Sequence, residues 1–364
     1  MAEIDILLPV RNGAEYLSQA ITSIRSQTHR DWRLLVLDHC SDDASAEIAL
    51  RHGEQDPRVQ VRSVEADGLS DLLNKGLEMC DCRFVARQDA DDISLPHRLD
   101  SLASAMKTDP TLDVVGSNAT TIDGRGKVIG QIEYPTSAHG VTANALFFTP
   151  LLHPTVAYRR DTLRQLEVRY GVDFMRWLPS EQRTTVPGLA EDYFLFGQLA
   201  FLGRCANLSE RLILYRLHGN NVGYTKFVAQ SQVALDISRY LVASLSHREG
   251  LEPFDTAPFC NHAMQLIDIP GRTDFSEEHR QLSTLMMRVM QPSHDLSRVL
   301  SFSSCLKNRS KPIMLQRYLR HRSRFGHNDR EYLTVRSWLI PRTLRKLRKR
   351  PYLTLKPSGL TSTP

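Results

Sequence analysis

The sequence predicts an α/β fold in which helices flank a mostly parallel central sheet, followed by a helical, basic C-terminal extension. Two observations support this prediction. Short apolar segments alternate with segments of helical periodicity up to about residue 225, a pattern typical of repeated βα units. Beyond that point strand signals fade, and apolar residues recur at helical spacing among many Lys and Arg residues. We therefore expect an α/β domain over residues 1–225 and a mostly helical region with a basic tail over residues 226–364.

The first βα unit begins at the N-terminus. The segment IDILLPV (4–10) is a short, continuous apolar run that indicates a buried strand, and RNG ends it. Leu17, Ile21 and Ile24 then recur at helical spacing and predict the first helix.

The next units repeat this alternation of strand and helix. The second helix starts with capping residues and is predicted to end at Gly53, because glycine favours helix C-termini. In chain order the segments are WRLLVLD (32–38), SDDASAEIALRHG (41–53), VQVRSV (59–64), LSDLLNKGLEMC (69–80) and CRFVARQD (82–89).

Later segments depart from the simple βα alternation. Two strand-like segments surround a DGRG turn (123–126) and predict a hairpin. The remaining predicted elements are a helix at AEDYFLFGQLAFLG (190–203), a strand at RLILYRL (211–217), a helix marked by Val233, Ile237, Leu241 and Leu245, and helices with basic faces over residues 276–350.

The net charge of +5 hides an uneven distribution. Residues 301–364 hold 16 Lys and Arg against 2 Asp and Glu, a balance of +14, which leaves −9 for the first 300 residues. Such a basic tail indicates a polyanionic partner.

The six cysteines form no CxxC pair, so we expect reduced thiols in a cytosolic protein. No run of 18 apolar residues predicts a membrane-spanning helix, and the N-terminus does not resemble a signal peptide.

Acidic residues follow two of the predicted parallel strands. LDHCSDD (37–43) and RQDADD (87–92) come at the carboxyl ends of strands, where open α/β sheets bind ligands. Carboxylates this close repel one another, and a divalent cation such as Mg²⁺ relieves that repulsion while also binding a diphosphate. The alternative is that Asp89, Asp91 and Asp92 only cap a helix that begins near Leu95. One Asp would suffice for a cap, so we favour the metal site.

These segments together resemble the family 2 glycosyltransferases, which have the GT-A, Rossmann-like fold. The resemblance covers roughly residues 3–225, and its individual motifs are weak while their order is specific. The matching stretches are ILLPVRNGAEYLSQAITSIRSQT, LLVLDHCSDDAS, GLSDLLNKGLE, FVARQDADDISLPHRL, HPTVAYRRD, AEDYFLFGQLAFLG and LYRLHGNNVG.

The resemblance implies an inverting, metal-dependent transfer of a sugar from a nucleotide-sugar to an acceptor hydroxyl. It is nearest in character to bacterial enzymes that build lipopolysaccharide, capsule or exopolysaccharide. A UDP-sugar donor is favoured, the acceptor is expected to be a saccharide or a lipid-linked sugar, and the cofactor is expected to be Mn²⁺ or Mg²⁺. The sugar, the acceptor and the linkage do not follow from the sequence.

The resemblance also assigns roles to residues of the nucleotide site. DADD matches the metal-binding DXD motif, so Asp89, Asp91 and Asp92 are expected to contact ribose, diphosphate and metal, with Asp91 and Asp92 as the metal ligands. The expected nucleotide contacts outside this motif are Pro9, Val10, Asn12 and, at the base, Asp38.

The sequence departs from the family pattern beside Asp38. His39 occupies a position that is usually acidic, and Cys40 replaces the usual glycine. A neutral histidine can accept a hydrogen bond from a uracil imide only through an unprotonated ring nitrogen. The departure puts the choice of uracil in doubt, and His39 could equally be a solvated loop residue.

The remaining candidates lie farther along the chain. Asp192 matches the family's catalytic base, which takes the proton of the attacking hydroxyl, and Glu191 is the weaker candidate. Both also suit the first turn of a helix. His218 matches a position that offers a third metal ligand or a diphosphate contact, and Arg216 could pair with phosphate oxygens. His153 lies at a position near the acceptor, with a packing role as the alternative.

The basic segment PRTLRKLRKRP (341–351) follows Trp338 and suits an anionic membrane surface. We therefore expect a cytoplasmic protein that is peripheral at the inner face of the cytoplasmic membrane, although a solvated basic helix would look the same. No nucleic-acid recognition module accompanies the charge.

Two rival functions remain. A nucleotidyltransferase would need a Gly-rich phosphate loop, which this sequence lacks after the first strand, and a catalytically degenerate scaffold is disfavoured by the intact DADD and ED motifs.

Overall fold

A computed structural model describes residues 2–219, 226–260 and 272–339. The chain divides into two compact units. The first comprises Met1–Val141, Thr149–Arg176 and Arg183–Thr225, and the second comprises Thr142–Phe148, Trp177–Gln182 and Lys226–Pro364. The second unit therefore takes two short segments that the sequence assigned to the α/β domain, and the assignment of two domains stays a prediction.

Nine strands form one mixed sheet within the described residues. Their order is β3-β2-β1-β4-β8-β6-β9-β5, and β7 pairs with β6 outside this path. The strands are β1 (Ile4–Val10), β2 (Trp32–Asp38), β3 (Val59–Ser63), β4 (Phe84–Arg87), β5 (Ile93–Ser94), β6 (Val114–Asp123), β7 (Val128–Ile132), β8 (Ala157–Arg159) and β9 (Cys205–Leu217).

Helices connect and flank these strands and make up most of the second unit. They are α1 (Ala14–Arg25), α2 (Ser45–Gln55), α3 (Gly68–Met79), α4 (Arg98–Thr108), α5 (Ala138–Asn144), α6 (Arg160–Gln165), α7 (Glu191–Leu202), α8 (Phe227–Glu249), α9 (Ser276–Val289), α10 (His294–Leu306), α11 (Lys311–Phe325) and α12 (Asp329–Leu339).

The first four strands are parallel, as predicted. β1 pairs with β2 and with β4, and β2 pairs with β3. The register places Val10 beside Asp38 at the carboxyl ends of β1 and β2. Because the carboxyl ends of parallel strands share one edge, the loops that follow β1, β2 and β4 lie together.

The other half of the sheet is mixed and brings a distant segment to the acidic turn. β4 pairs antiparallel with β8, while β6 pairs parallel with β9 and antiparallel with β7. The pairing of β6 with β7 confirms the predicted hairpin. β5 pairs antiparallel with β9, so that Ile93 lies beside Leu214. This pairing holds the end of β9 next to residues 89–92.

Alternating residues of the parallel strands form the core on one sheet face. Ile4, Ile6 and Leu8 of β1 are buried there with apolar residues of α1 and α4. The opposite face carries Leu7 and Leu37, which approach α3 so closely that a Cβ at Gly76 would lie 2.6 Å from the Leu37 side chain. Both faces of these strands are therefore buried, which explains their continuous apolar runs.

Two helix boundaries differ from the prediction. α2 continues past Gly53 to Gln55, where the predicted end was wrong. A Cβ at Gly53 would lie 3.1 Å from the Val59 carbonyl oxygen, so this glycine allows close packing against β3. α4 begins at Arg98 and not near Leu95, because Ile93 and Ser94 pair with β9 first.

The second unit is helical. The Leu146 carbonyl accepts a hydrogen bond from Ser238 of α8, and the Arg330 guanidinium lies 3.7 Å from the Phe148 ring centroid. No helix of the described residues has the length and apolarity that crossing a bilayer requires. The tail at 341–351 lies outside the described residues.

Candidate active site

The acidic turn after β4 gathers three carboxylates. Oxygens of Asp89, Asp91 and Asp92 all lie within 4.8 Å of one another. Asp92 is fully buried, whereas the side chains of Asp89 and Asp91 are each 29 % exposed. The turn therefore presents one buried and two accessible carboxylates.

The two oxygens of Asp92 have different surroundings. Oδ1 accepts a hydrogen bond of 2.8 Å from the backbone N–H of Arg216. Oδ2 is buried and has no hydrogen-bond partner among the described residues. A buried acceptor without a partner is unfavourable, and a hard cation is a ligand that would satisfy it. The residues present thus fit a divalent cation.

Burial raises the pKa of Asp89 and, much more strongly, that of Asp92. Neighbouring carboxylates raise both pKa values further, while Arg87 opposes the rise. A bound cation would offset the repulsion that makes joint ionisation of this cluster unfavourable.

His218 lies beside Asp91, and its role as a metal ligand or diphosphate contact stays a prediction. Its Nε2 lies 2.9 Å from Asp91 Oδ2, and its ring centroid lies 5.3 Å from that of Tyr16. The pairing of β5 with β9 explains this proximity, since His218 directly follows β9. The His218 nitrogen therefore lies at the edge of the carboxylate cluster, in contact with Asp91.

Three buried polar residues support the turn, and sequence reasoning assigned none of them a role. Arg87 donates to Asp89 at 2.5 Å, and the Gln88 amide donates to the carbonyls of Asp89 and Asp92 at 3.0 Å each. Arg98 donates to Gln88 Oε1 and to the carbonyls of Arg87 and Pro154. Two polar residues at the end of an apolar strand, in RQDADD, were the available signal.

Arg216 is buried within the protein. Its guanidinium donates to the Asp91 carbonyl and to Gln19, and it lies 4.4 Å from the Tyr16 ring centroid. These contacts favour a structural role in which Arg216 ties α1 to the acidic turn. The phosphate contact assigned to Arg216 stays a prediction.

The loop after β1 is tied to the loop after β2. Asn12 has a left-handed backbone, with φ 55, and its N–H donates to Ser41 Oγ while its side-chain oxygen accepts from the Asp42 N–H. Pro9 and Val10 are buried at the end of β1. The three predicted nucleotide contacts are therefore adjacent, with only Asn12 exposed.

Asp38 is buried and has one unsatisfied oxygen. Its Oδ2 accepts a 3.4 Å hydrogen bond from the Ser41 N–H, while Oδ1 is buried without a partner among the described residues. His39 Nε2 lies 2.8 Å from the Ala66 carbonyl oxygen. Since a carbonyl only accepts, Nε2 carries the proton, and in the neutral ring Nδ1 is the acceptor.

Glu191 and Asp192 begin α7. Burial raises the pKa of Asp192 to about 6, and the charge of Asp89 contributes to the rise. Burial and then the charge of Asp192 raise the pKa of Glu191 to about 7. The charge of Asp89 thus disfavours ionisation of Asp192, whose role as the base stays a prediction.

The residues just before this helix have an uncommon backbone. Leu189 and Ala190 are consecutive left-handed residues, with φ 60 and 58. Neither is a glycine, so both conformations are unfavourable on their own. The surrounding structure holds them, which fixes where α7 begins and where its first carboxylates lie.

His153 is buried away from solvent. Its Nε2 lies 2.9 Å from the Tyr170 hydroxyl, which lies 2.9 Å from the Tyr158 hydroxyl. Burial keeps the pKa of His153 well below its usual range, so its ring is neutral. These contacts favour the packing role that the sequence left as the alternative.

Comparison with known proteins agrees with this architecture. The model of glycosyl transferase family 2 matches residues 5–173. The O-antigen biosynthesis glycosyltransferase WbnJ of Escherichia coli is 30 % identical over 257 residues, which cover 68 % of this chain and 89 % of WbnJ. The chain belongs to glycosyltransferase family 2.

Two further proteins extend the comparison. The amylovoran biosynthesis glycosyltransferase AmsE of Erwinia amylovora is 32 % identical over 162 residues, 44 % of this chain and 60 % of AmsE. The structure of S. aureus TarS 1-349 in complex with UDP-GlcNAc aligns with a TM-score of 0.53 at 17 % identity, covering 90 % of this chain and 93 % of that chain. The fold of the transferase is thus GT-A, with a helical C-terminal region.

Proposed function

We propose that the transferase moves a sugar from a nucleoside-diphosphate sugar, with UDP as the favoured nucleotide, to an acceptor hydroxyl with inversion at the anomeric carbon. The observation that supports this most is the cluster of three carboxylates at the acidic turn. Oxygens of Asp89, Asp91 and Asp92 are within 4.8 Å of one another. The TarS structure, by its title, binds UDP-GlcNAc, and this relation supports a UDP-sugar.

In this proposal Asp91, Asp92 and His218 hold the divalent cation, either Mn²⁺ or Mg²⁺. Asp92 Oδ2 is the strongest ligand candidate, because it is buried and lacks any partner within the described residues. When bound, the cation neutralises charge on the departing nucleoside diphosphate. Asp89 is assigned to the ribose and diphosphate, and Pro9, Val10, Asn12 and Asp38 to the nucleoside.

Asp192 is the general base. Its carboxylate takes the proton of the acceptor hydroxyl as that oxygen attacks the anomeric carbon. The new glycosidic bond forms while the bond from that carbon to the diphosphate breaks, and the electron pair leaves with the nucleoside diphosphate. In-line attack from the opposite face inverts the configuration and needs no covalent enzyme intermediate.

The acceptor is proposed to be a saccharide or a lipid-linked sugar in the synthesis of a bacterial cell-surface polysaccharide. The names of two relatives, an O-antigen and an amylovoran transferase, support this assignment. The location is proposed to be cytoplasmic, peripheral at the inner face of the membrane. The net charge of +14 on residues 301–364 supports an anionic membrane as the partner.

Asp192→Asn tests the assignment. The change is nearly isosteric, so we expect donor binding to persist while transfer falls by about 10²-fold or more, the scale of general-base loss. Sugar transfer and nucleoside-diphosphate release are measured with a panel of UDP-sugars and Mn²⁺. Asp161→Asn, an exposed aspartate in the first turn of α6, is the matched control.

If the Asp192→Asn variant transferred sugar at the wild-type rate, the assignment of Asp192 as the general base would be wrong. Absence of donor turnover by the wild type across the panel, with donor binding retained, would favour the degenerate scaffold.

A further inference from the structure

Helix α11 has one face that packs and one that does not. Met314, Tyr318, His321 and Phe325 recur at helical spacing and are buried in the second unit. His321 is anchored further, because its Nε2 lies 3.1 Å from a Glu331 carboxylate of α12. These contacts fix the orientation of the helix in this unit and therefore determine which of its side chains face solvent.

The outward face carries large apolar side chains. Ile313, Leu315 and Leu319 are 38 %, 42 % and 55 % exposed. Leu315 and Leu319 are four residues apart, so they are neighbours along one side of the helix. Ile313 is two residues from Leu315 and therefore lies on a different side of the helix, so the neighbouring pair Leu315 and Leu319 is the apolar feature of this face.

The same helix is strongly basic. It contains five Lys and Arg residues and no Asp or Glu, namely Lys311, Arg317, Arg320, Arg322 and Arg324. Among the described residues, none of these five forms an ion pair with a carboxylate. Lys311 and Arg322 lie one and two turns from Leu315 along the helix, so their ammonium and guanidinium groups flank the leucines.

We propose that the outward face of α11 is a membrane-binding surface that lies flat on an anionic phospholipid bilayer. The leucines enter the boundary between headgroups and acyl chains, while the long stems of Lys311 and Arg322 carry their charges to the phosphates. This inference rests on the proposed peripheral location, and it attributes membrane attachment to a folded helix as well as to the tail.

Charge decides between the possible occupants of this face. A twofold contact between two copies of the chain through the leucines would bring Lys311 and Arg322 of one copy close to the same residues of the other, which is repulsive. An anionic bilayer offers phosphates beside an apolar layer, which matches both components of the face. With 15 residues, α11 itself is shorter than the roughly 20 residues that a bilayer-spanning helix needs.

The test compares full-length variants for binding to phosphatidylcholine vesicles with and without phosphatidylglycerol. We expect the wild type to co-sediment with the anionic vesicles preferentially. Leu315→Ser combined with Leu319→Ser should lower the partition coefficient about tenfold or more, chiefly in the binding that persists at high salt. Both side chains are exposed, so folding should be unaffected. The matched control is Val228→Ser with Met287→Ser, which are 63 % and 62 % exposed in the same unit.

A second pair of variants tests the charges. Lys311→Gln with Arg322→Gln should weaken binding at low salt, whereas Arg30→Gln with Arg62→Gln, exposed arginines of the first unit, should not. Equal binding by the leucine variant and its control, or equal binding to neutral and anionic vesicles, would overturn the proposal. A change from dimer to monomer in the leucine variant, with vesicle binding unchanged, would assign the face to a second copy instead.

Donor turnover without vesicles separates this inference from the proposed function. The α11 variants should turn over UDP-sugars like the wild type while losing vesicle binding. A wild type without any turnover would contradict the proposed transfer, yet its vesicle result would still decide the role of α11.

Discussion

In the proposed mechanism, the ionisation of the paired carboxylates at the start of α7 decides whether the acceptor hydroxyl can be deprotonated. Both pKa values are raised mainly because burial removes water from the carboxylates, to about 6 for Asp192 and about 7 for Glu191. A raised pKa makes a carboxylate a stronger base, but only above that pKa is it ionised. This placement suits proton transfer near neutral pH.

A pH profile follows from the ionisation of Asp192. Above pH about 6 the base is ionised, and below it kcat/KM should fall about tenfold per pH unit, because only the ionised fraction accepts a proton. The measurement is kcat/KM for transfer over pH 5 to 8, with donor binding measured in parallel. A rate that stays constant down to pH about 5 would contradict the assignment of the base.

The residues of the site differed in how well the sequence revealed them. Asp89, Asp91 and Asp92 belong to one short motif, so a local pattern was enough to predict their clustering, whereas Asp192 was assigned by the family resemblance and its role stays a prediction. Gln88 and Arg98 carry no such pattern, because their role depends on hydrogen bonds between segments distant in the chain. Buried polar residues of this kind look like ordinary surface residues until the fold is known.

At the scale of elements, a buried hydrogen-bond network holds the conformation of the turn after β4. Arg98 of α4 donates to the Gln88 side chain, to the Ser94 hydroxyl and to two carbonyls. Burial lowers the pKa of Arg98 to about 9, while Asp92 and Asp89 act in the opposite direction. The arginine thus remains charged at neutral pH and balances carboxylates of the turn.

Replacing this arginine should be strongly destabilising. Arg98→Met would leave the carbonyls of Arg87 and Pro154 without a donor and the buried carboxylates without a counter-charge, a loss of about 3–5 kcal/mol in the free energy of unfolding. Urea unfolding measures it. The exposed Arg164 provides the control, since Arg164→Met should change stability by less than about 0.5 kcal/mol. Equal midpoints for the two variants would show that the network contributes little.

The elements themselves were predictable where periodicity was strong. The first four strands and the helices between them follow from continuous apolar runs and helical spacing. β8 was missed, since its three residues are too few for a pattern and its position depends on pairing with β4 and β6. The end of α2 was misplaced because Gly53 marks close packing and not a terminus.

For the molecule as a whole, binding of the donor nucleotide and of the cation should be linked. Without a cation the buried Asp92 and its neighbours repel a diphosphate, so UDP alone should stabilise the fold little. UDP with Mn²⁺ at about 100 times its Kd should add about 2.7 kcal/mol to the free energy of unfolding.

A thermal-shift series checks this linkage. We expect a rise in Tm with UDP and Mn²⁺ that EDTA abolishes and that Asp92→Asn lacks, with smaller rises for ADP and GDP. An equal rise with and without EDTA would exclude a cation-dependent nucleotide site.

The division of the chain into units has a consequence for its synthesis. Residues 142–148 and 177–182 belong to the second unit, yet they leave the ribosome before residue 226, where the rest of that unit begins. Leu146 and Phe147 are buried in the finished protein, and Leu146 accepts a hydrogen bond from Ser238 of α8. During translation Leu146 and Phe147 stay exposed until the rest of the second unit has been synthesised, so the nascent chain is prone to aggregate or to need a chaperone. A chain shortened to residues 1–225 would remain in that exposed state permanently, and sedimentation after expression should find it largely insoluble beside a soluble full-length protein.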